Sequence, residues 1–257
     1  MFLKTPRGVV PTERALNLAE PIADILSRIR QVVAAAEPFD PATSRRRFVI
    51  GSPDGSTLAP LPALLAILAA EAPGIDIGTR QIMPDVTQSQ PWDTVFRELD
   101  ARTVDIAAIT FGEVPRRFVA RPLYDVGFVV VTRADHPFVA DPSIETYCAG
   151  RHILVSRTAD PSTATGDLLA AQGLTRRVQI TVPHFIVALA AIADSDLIGT
   201  MPERTVDQYA DRFGLVASPV PFDPGPKSHV RLAMSRAALM DKGLVWLADR
   251  IERLMLE

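Results

Sequence analysis

Arg47-Phe48-Val49-Ile50-Gly51 is a short apolar run that leads through Ser52-Pro53-Asp54-Gly55-Ser56 into an Ala- and Leu-rich stretch from about Thr57 to Ala72. Aromatic and β-branched residues closed by a Pro-Asp-Gly turn read as a strand. The longer apolar stretch reads as a helix, with Pro60 and Pro62 near its first turn, where proline is tolerated, and Pro73-Gly74 ending it. Outward from this unit the pattern repeats. Ile75–Ile82 reads as a strand, and Pro91–Ala101 as a helix with Trp92, Val95, Phe96 and Leu99 on one side. Val104–Ile109, closed by Thr110, reads as a third strand. The order β-α-β-α-β predicts a parallel sheet with right-handed crossovers.

A second series follows after the extended runs Arg121–Asp125 and Gly127–Arg133. Its strands are expected at His152–Val155, Arg177–Thr181 and Leu197–Met201, and its helices at Gly166–Gln172, His184–Ala193 and about Glu203–Ala210. The chain closes with extended Leu215–Val220 and Ser228–Met234 and an amphipathic helix over Lys242–Leu256. These last elements have no third sheet to join, so they are expected to return to the first lobe. The predicted class is α/β with two Rossmann-like lobes, lobe I at about 48–124 and 215–257 and lobe II at about 125–214. Two lobes joined by two crossings enclose a cleft at the carboxyl ends of the parallel strands.

Ahead of the body, residues 12–36 read as a helix capped by Thr12 and interrupted at Pro21. Leu18, Ile22, Ile25, Ile29, Val32 and Ala36 form its apolar stripe. The stripe can be buried against the rest of the chain or against the same helix of a second copy. The second is favoured, because Pro38-Phe39-Asp40-Pro41-Ala42-Thr43-Ser44-Arg45-Arg46-Arg47 reads as a linker that detaches it. The expected organisation is 1–37, 38–47 as linker, and 48–257 as the body. Residues 1–47 hold eight basic and five acidic residues, leaving 19 basic and 25 acidic ones beyond, within a net charge of −3. A basic arm on an acidic body suits contact with a polyanion at one end, or simply a solvated helix and linker.

Composition narrows the chemistry. The 257 residues are 47% hydrophobic and 22% charged, which is enough to build a core and unlike a disordered chain. A single cysteine, Cys148, excludes an intramolecular disulfide framework and a four-cysteine zinc site, and four histidines argue against a His-rich metal centre. No metal and no cofactor are expected. No apolar run reaches about 18 residues, and the first residues lack the core of a signal peptide, so a cytoplasmic protein without a membrane partner is expected. Cys148 has no activating neighbour in sequence, and Asp194 and Asp196 fit a turn better than a carboxylate pair. No G-x-G-x-x-G, G-x-S-x-G, phosphate-binding loop or H-E-x-x-H occurs. Catalysis is not expected.

Leu3-Lys4-Thr5-Pro6-Arg7-Gly8-Val9-Val10-Pro11-Thr12 resembles the wing and the start of the linker helix of LysR-type transcriptional regulators. Phe39-Asp40-Pro41-Ala42-Thr43-Ser44 resembles the linker of one branch. His136-Pro137, Thr181-Val182-Pro183-His184-Phe185 and Asp196-Leu197-Ile198-Gly199-Thr200-Met201-Pro202 resemble that branch's effector domain. The branch includes regulators of nodulation and of aromatic-compound degradation, and the resemblance runs along essentially the whole chain. It implies the type 2 periplasmic-binding-protein fold, a small-molecule effector in the inter-lobe cleft, a homodimer or homotetramer, and DNA binding through a winged helix-turn-helix. This sequence starts at the wing. Lys4 and Arg7 are therefore expected to reach phosphates, while most of the winged helix-turn-helix, including the recognition helix that reads base edges, is expected to be missing from these residues. A solute-binding protein of the periplasmic type, with no DNA role, is the rival reading of the same two-lobed body.

The matching cleft positions fall at strand ends and helix starts. Ser56 and Thr57 open the helix after the first strand, where hydroxyls and free N–H groups receive a carboxylate or phenolate, or where either residue simply caps. Thr110 and Phe111 follow the third strand, Phe111 being either a cleft wall or a core aromatic. Ser156 and Arg157 end the strand from His152, Arg157 either pairing with an anion or standing solvated. His184 and Phe185 start a helix behind Pro183. Imidazole and ring suit an aromatic acid, and equally a cap and a core side chain. Thr200 completes the set. The expected effector is a small anion, aromatic or otherwise.

Overall fold

The computed structural model describes residues 2–5, 8–15, 18, 21–22, 25, 39–54, 60–82, 92–110, 114–156, 158–225 and 228–256. Phe2–Thr5 (β1) and Gly8–Pro11 (β2) form an antiparallel hairpin, the strand pair expected of a wing. Thr12 caps the segment that follows, its Oγ1 accepting from the Ala15 N–H at 3.3 Å. Ala15, Leu18, Ile22 and Ile25 are helical, with Ile22 and Ile25 exposed. Ile29, Val32, Ala36 and the rest of 26–38 lie outside the described residues.

Two five-stranded sheets make the body. The first takes Arg47–Ser52 (β3), Asp76–Gln81 (β4), Ile106–Thr110 (β5), Phe118–Val126 (β6) and Ser228–Ser235 (β12) in the order β4-β3-β5-β12-β6. β3 runs parallel to both β4 and β5, as the β-α-β-α-β reading requires. In β5 the four successive residues Ile106, Ala107, Ala108 and Ile109 are all buried, which fits a strand covered on both faces. Helices Leu61–Glu71 (α1) and Lys242–Leu256 (α8) cover one face through Leu64, Leu68, Leu244, Leu247 and Ile251. Helix Asp93–Asp100 (α2) covers the other through Val95, Phe96 and Leu99.

The second sheet takes Phe128–Arg133 (β7), Arg151–Val155 (β8), Arg177–Val182 (β9), Leu197–Pro202 (β10) and Leu215–Pro219 (β11) in the order β11-β7-β10-β8-β9. Its α/β series is carried by Pro137–Ala140 (α3), Ile144–Ala149 (α4), Ala164–Ala171 (α5), Phe185–Ala193 (α6) and Glu203–Tyr209 (α7). Within β10 the two faces separate cleanly. Leu197 and Met201 join the α6 cluster, while Ile198 joins Tyr147 and Leu169 on the α4 and α5 side. Gly199 also faces α6: a Cβ there would lie 2.7 Å from Ile192 Cδ1 and Met201 Cε, so a larger residue would make these two side-chain ends give way.

Two expectations need correction. The sequence reading returns Leu215–Val220 to lobe I. Instead β11 pairs antiparallel with β7, from Leu215 opposite Arg133 to Pro219 opposite Val129, and Leu215 is buried in the lobe II core. A strand that follows directly on α7 completes the sheet beside it before the chain leaves. The crossings between sheets are therefore at 126–128 and 219–228, and only β12 and α8 go back. The linker 38–47 is likewise no free tether in its described part. The Phe39 ring lies 5.9 Å from that of Trp246, and Arg46 forms two bonds to Asp241, 2.7 Å and 2.6 Å, at the start of α8.

Candidate functional site

Strands β3, β5, β8, β9 and β10 all end toward the gap between the sheets. The turn after β3 begins at Ser52, which is fully buried, and carries Asp54. Asp54 Oδ2 accepts the Phe185 N–H of α6 at 2.7 Å, and its Oδ1 lies 3.8 Å from His184 Nδ1. His184 is the N-cap residue of α6 but makes no side-chain cap bond; its side chain is half exposed. The cap is thus supplied by a carboxylate from the other lobe, 131 residues away. Phe185 is partly buried against the Ile192 and Met201 cluster, so its ring belongs more to the core than to the gap.

Thr200 faces the opposite side of its sheet. Its Oγ1 lies 2.7 Å from the Tyr147 hydroxyl, which accepts from Arg176 Nη1 at 2.7 Å; Arg176 Nη2 donates to Thr163 Oγ1 at 3.0 Å. Thr163 in turn caps α5 by accepting the Gly166 N–H. Tyr147 is fully buried, and burial pushes its phenol above the usual range despite Arg176, so it keeps its proton. Arg176 Nε is buried without a partner, and no carboxylate among the described residues pairs with this guanidinium. Thr200 opens on a cavity of about 760 Å³ whose walls include Phe128, Thr165, Leu168, Phe222 and the crossing residues Val126, Gly127 and Ser228. On the other flank of the crossings, Arg204 of α7 donates to the Met255 carbonyl at 3.1 Å, with its guanidinium 4.6 Å from the Tyr124 ring centre.

The residues expected at the cleft therefore divide. His184 and Phe185 meet Asp54; Thr200 lines the cavity with Tyr147 behind it. Thr110 ends β5 opposite Val230 of β12, and Ser156 continues β8, its N–H donating to the Val182 carbonyl at 2.8 Å. Ser56, Thr57, Phe111 and Arg157 lie outside the described residues, as does Arg7, while Lys4 is placed by its backbone alone, in β1. Asp54, Tyr147 and Arg176 are not among the positions the sequence points to. Asp54 reads there as turn chemistry, and nothing in the sequence near Tyr147 or Arg176 marks them. Among the described residues no group of three or more His, Cys, Asp and Glu side chains is placed to hold a metal ion, and no helix is long and apolar enough to cross a membrane.

Residues 41–255 match the LysR substrate binding domain. The chain belongs to the LysR family. Its two sheets with flanking helices are the type 2 periplasmic-binding-protein-like fold of LysR effector-binding domains. The HTH-type transcriptional activator NagR of Ralstonia sp is 30% identical over 258 residues, covering all of this chain and 83% of NagR. Nodulation protein D 2 of Rhizobium tropici is 30% identical over 233 residues, covering 87% of this chain and 69% of that protein, as the branch resemblance implied. Among solved structures, a probable transcriptional regulator of Pseudomonas aeruginosa aligns with a TM-score of 0.79 at 28% identity, over 98% of this chain and 81% of that one. The LysR family consists of DNA-binding transcription regulators that respond to small effectors as oligomers. Membership supports the regulator reading over the solute-binding rival, and the relatives are regulators, not enzymes.

Proposed function

We propose that this LysR chain senses a small anionic ligand carrying an apolar or aromatic body, and that the Thr200 cavity holds it. The observation that carries the reading is the relay from Arg176 through Tyr147 to Thr200. A phenol oxygen that already accepts from a guanidinium still has its one hydrogen to donate, and Thr200 Oγ1 is the acceptor in this reading. Thr200 then has its own hydrogen to offer into the cavity, polarised by a cation that no carboxylate among the described residues pairs with. Phe128, Leu168 and Phe222 supply the walls that a ring would fill. His184, Thr110 and Ser156, with the backbone of Phe185, are assigned to the same gap as a second ligand-facing set, and Ser56, Thr57, Phe111 and Arg157 are assigned there from sequence alone.

In this reading the ligand favours one relative arrangement of the lobes, and can do so only by binding that arrangement more tightly. The segment ahead of Phe39 passes the change to a dimer or tetramer acting on DNA in the cytoplasm, with Lys4 and Arg7 assigned from sequence to the phosphate backbone. The domain division proposed is 1–37, 38–47 and 48–257, with the described part of the middle segment docked on the body. Thermal-shift screening of small carboxylates and phenols is expected to find a stabiliser, because a ligand selective for the native state raises stability. Thr200→Val keeps the shape and removes the donor, and should weaken that hit by about tenfold or more. Unchanged affinity in this variant would remove Thr200 from the site.

A further inference from the structure

Helix α8 is held at its two ends by different parts of the molecule. At its start, Asp241 Oδ1 accepts the Gly243 and Leu244 N–H groups, at 3.0 Å and 3.2 Å, and the same carboxylate takes both bonds from Arg46. The docked segment lies directly on this first turn: a Cβ at Gly243 would stand 2.7 Å from Arg46 Nη1 and 3.0 Å from the Phe39 ring. At the other end, the Met255 carbonyl is one of the last four that find no partner within the helix. Arg204 of lobe II supplies one at 3.1 Å, a cation at the negative end of the helix dipole. Leu254 and Met255 line the same recess as Asp125 and Gly127 at the first crossing. The 15 residues of α8 put about 22 Å between its two ends.

Arg204 is also close to the Thr200 cavity along the chain. α7 opens directly on β10, so Arg204 follows Thr200 by one strand end, and the Glu203 N–H ties the same turn to the Gly127 carbonyl at 2.9 Å. The guanidinium lies 4.6 Å from the Tyr124 ring centre in β6, so a shift of lobe II against lobe I must move or break both of its contacts. We propose that α8 is the coupling element between lobe II and the docked segment 39–46, and that Arg204 is the residue through which lobe II engages it. A helix moves as a unit, so a change at Met255 is felt in the first turns, where Arg46 and Phe39 dock. The reverse holds as well: loss of the linker contacts must weaken the hold on Arg204, since coupling between two sites is reciprocal. That this chain of contacts reports occupancy of the Thr200 cavity rests on the reading of that cavity as the effector site. The coupling of Arg204 to segment 39–46 does not.

The test is amide hydrogen exchange on the full chain without ligand, read at 42–46, at 243–245 and in α7. Arg204→Met removes charge and donor but keeps an apolar stem over Tyr124, and Arg204→Lys keeps both charge and donor. R204M is expected to accelerate exchange at 42–46 and 243–245 by about fivefold or more, the lower end of the range for coupled sites. Exchange in α2, which covers the opposite face of the sheet, should stay as it is. R204K should restore most of the protection. By reciprocity, Arg46→Ala should accelerate exchange in α7, and this second measurement decides if R204M does not fold. Unchanged exchange at 42–46 in R204M, or an equal acceleration in α2, overturns the proposal. So does unchanged exchange in α7 in R46A. Benzoate, a small aromatic anion, separates the coupling from the reading of the cavity. Bound to wild type, it should alter exchange at 42–46 there and not in R204M, and an equal response in both overturns the route through Arg204. Absence of benzoate binding counts against the cavity reading alone, and the ligand-free exchange still decides the role of α8.

Discussion

At the scale of single residues, the strongest perturbation belongs to His152. It is fully buried, its Nε2 donates to the Tyr147 carbonyl at 2.8 Å, and its Nδ1 has no partner among the described residues. Desolvation drives its pKa from 6.5 down to about 4, although the bond to Tyr147 opposes the change. The folded form thus binds its proton later than the unfolded chain on acidification. The stability this provides is complete above about pH 6.5 and is lost progressively toward pH 4, amounting to roughly 3 kcal/mol. Urea unfolding followed between pH 7 and 4 should therefore show His152→Gln losing less stability than wild type by that order, because glutamine can still donate to the carbonyl. Parallel pH curves would mean that His152 does not titrate this way. None of this is legible in His152 itself, which reads as an ordinary strand residue. Its burial depends on Tyr147 arriving from α4, itself packed on Phe138 of α3, contacts that no local pattern encodes. Thr200 shows the same limit: its place at a strand end is readable, but which face it takes depends on Gly199 and Met201 committing to α6.

Elements are more legible than faces. Periodicity and Pro-Gly punctuation locate β3 to β5, α1, α2 and α8 to within a few residues, because each carries its own pattern of apolar positions. Pairing is not so encoded. β11 looks like β12 in sequence, both short and apolar, and only the space left beside β7 decides its sheet. The segment 39–46 misleads for the opposite reason. Its prolines and arginines are those of a linker, yet Arg46 and Phe39 find partners on α8, distant in sequence. Asp241 serves two elements at once: it receives both Arg46 amines and accepts the Gly243 and Leu244 N–H groups that open α8. Burial raises the pKa of Asp241, but Arg46 outweighs it, so the net shift is downward and the carboxylate stays ionised. Arg46→Ala should lower unfolding free energy by about 1–2 kcal/mol, a charged and partly buried bidentate pair being worth more than a surface one. Asp241→Ala should cost about 1 kcal/mol beyond that, since it also removes the helix cap. Equal losses in urea denaturation would show that Asp241 does not cap α8.

For the whole molecule, the docking of 39–46 separates two properties that the sequence joined. If the segment ahead of Phe39 serves association and the one after it serves the body, truncation should divide them. Residues 39–257 keep both sheets, the Phe39 to Trp246 contact and the Arg46 to Asp241 pair, so their unfolding midpoint in urea should match that of 1–257. Light scattering should at the same time give 39–257 a lower oligomer order, because the apolar stripe with exposed Ile22 and Ile25 is gone. Residues 48–257 lose the docked segment as well. They should associate no further than 39–257 yet unfold at lower urea, by about the Arg46 increment together with the aromatic contact. Equal masses for 1–257 and 39–257 would take the associating role from the segment ahead of Phe39. Equal stabilities for 39–257 and 48–257 would return residues 39–47 to the free linker that their composition implied.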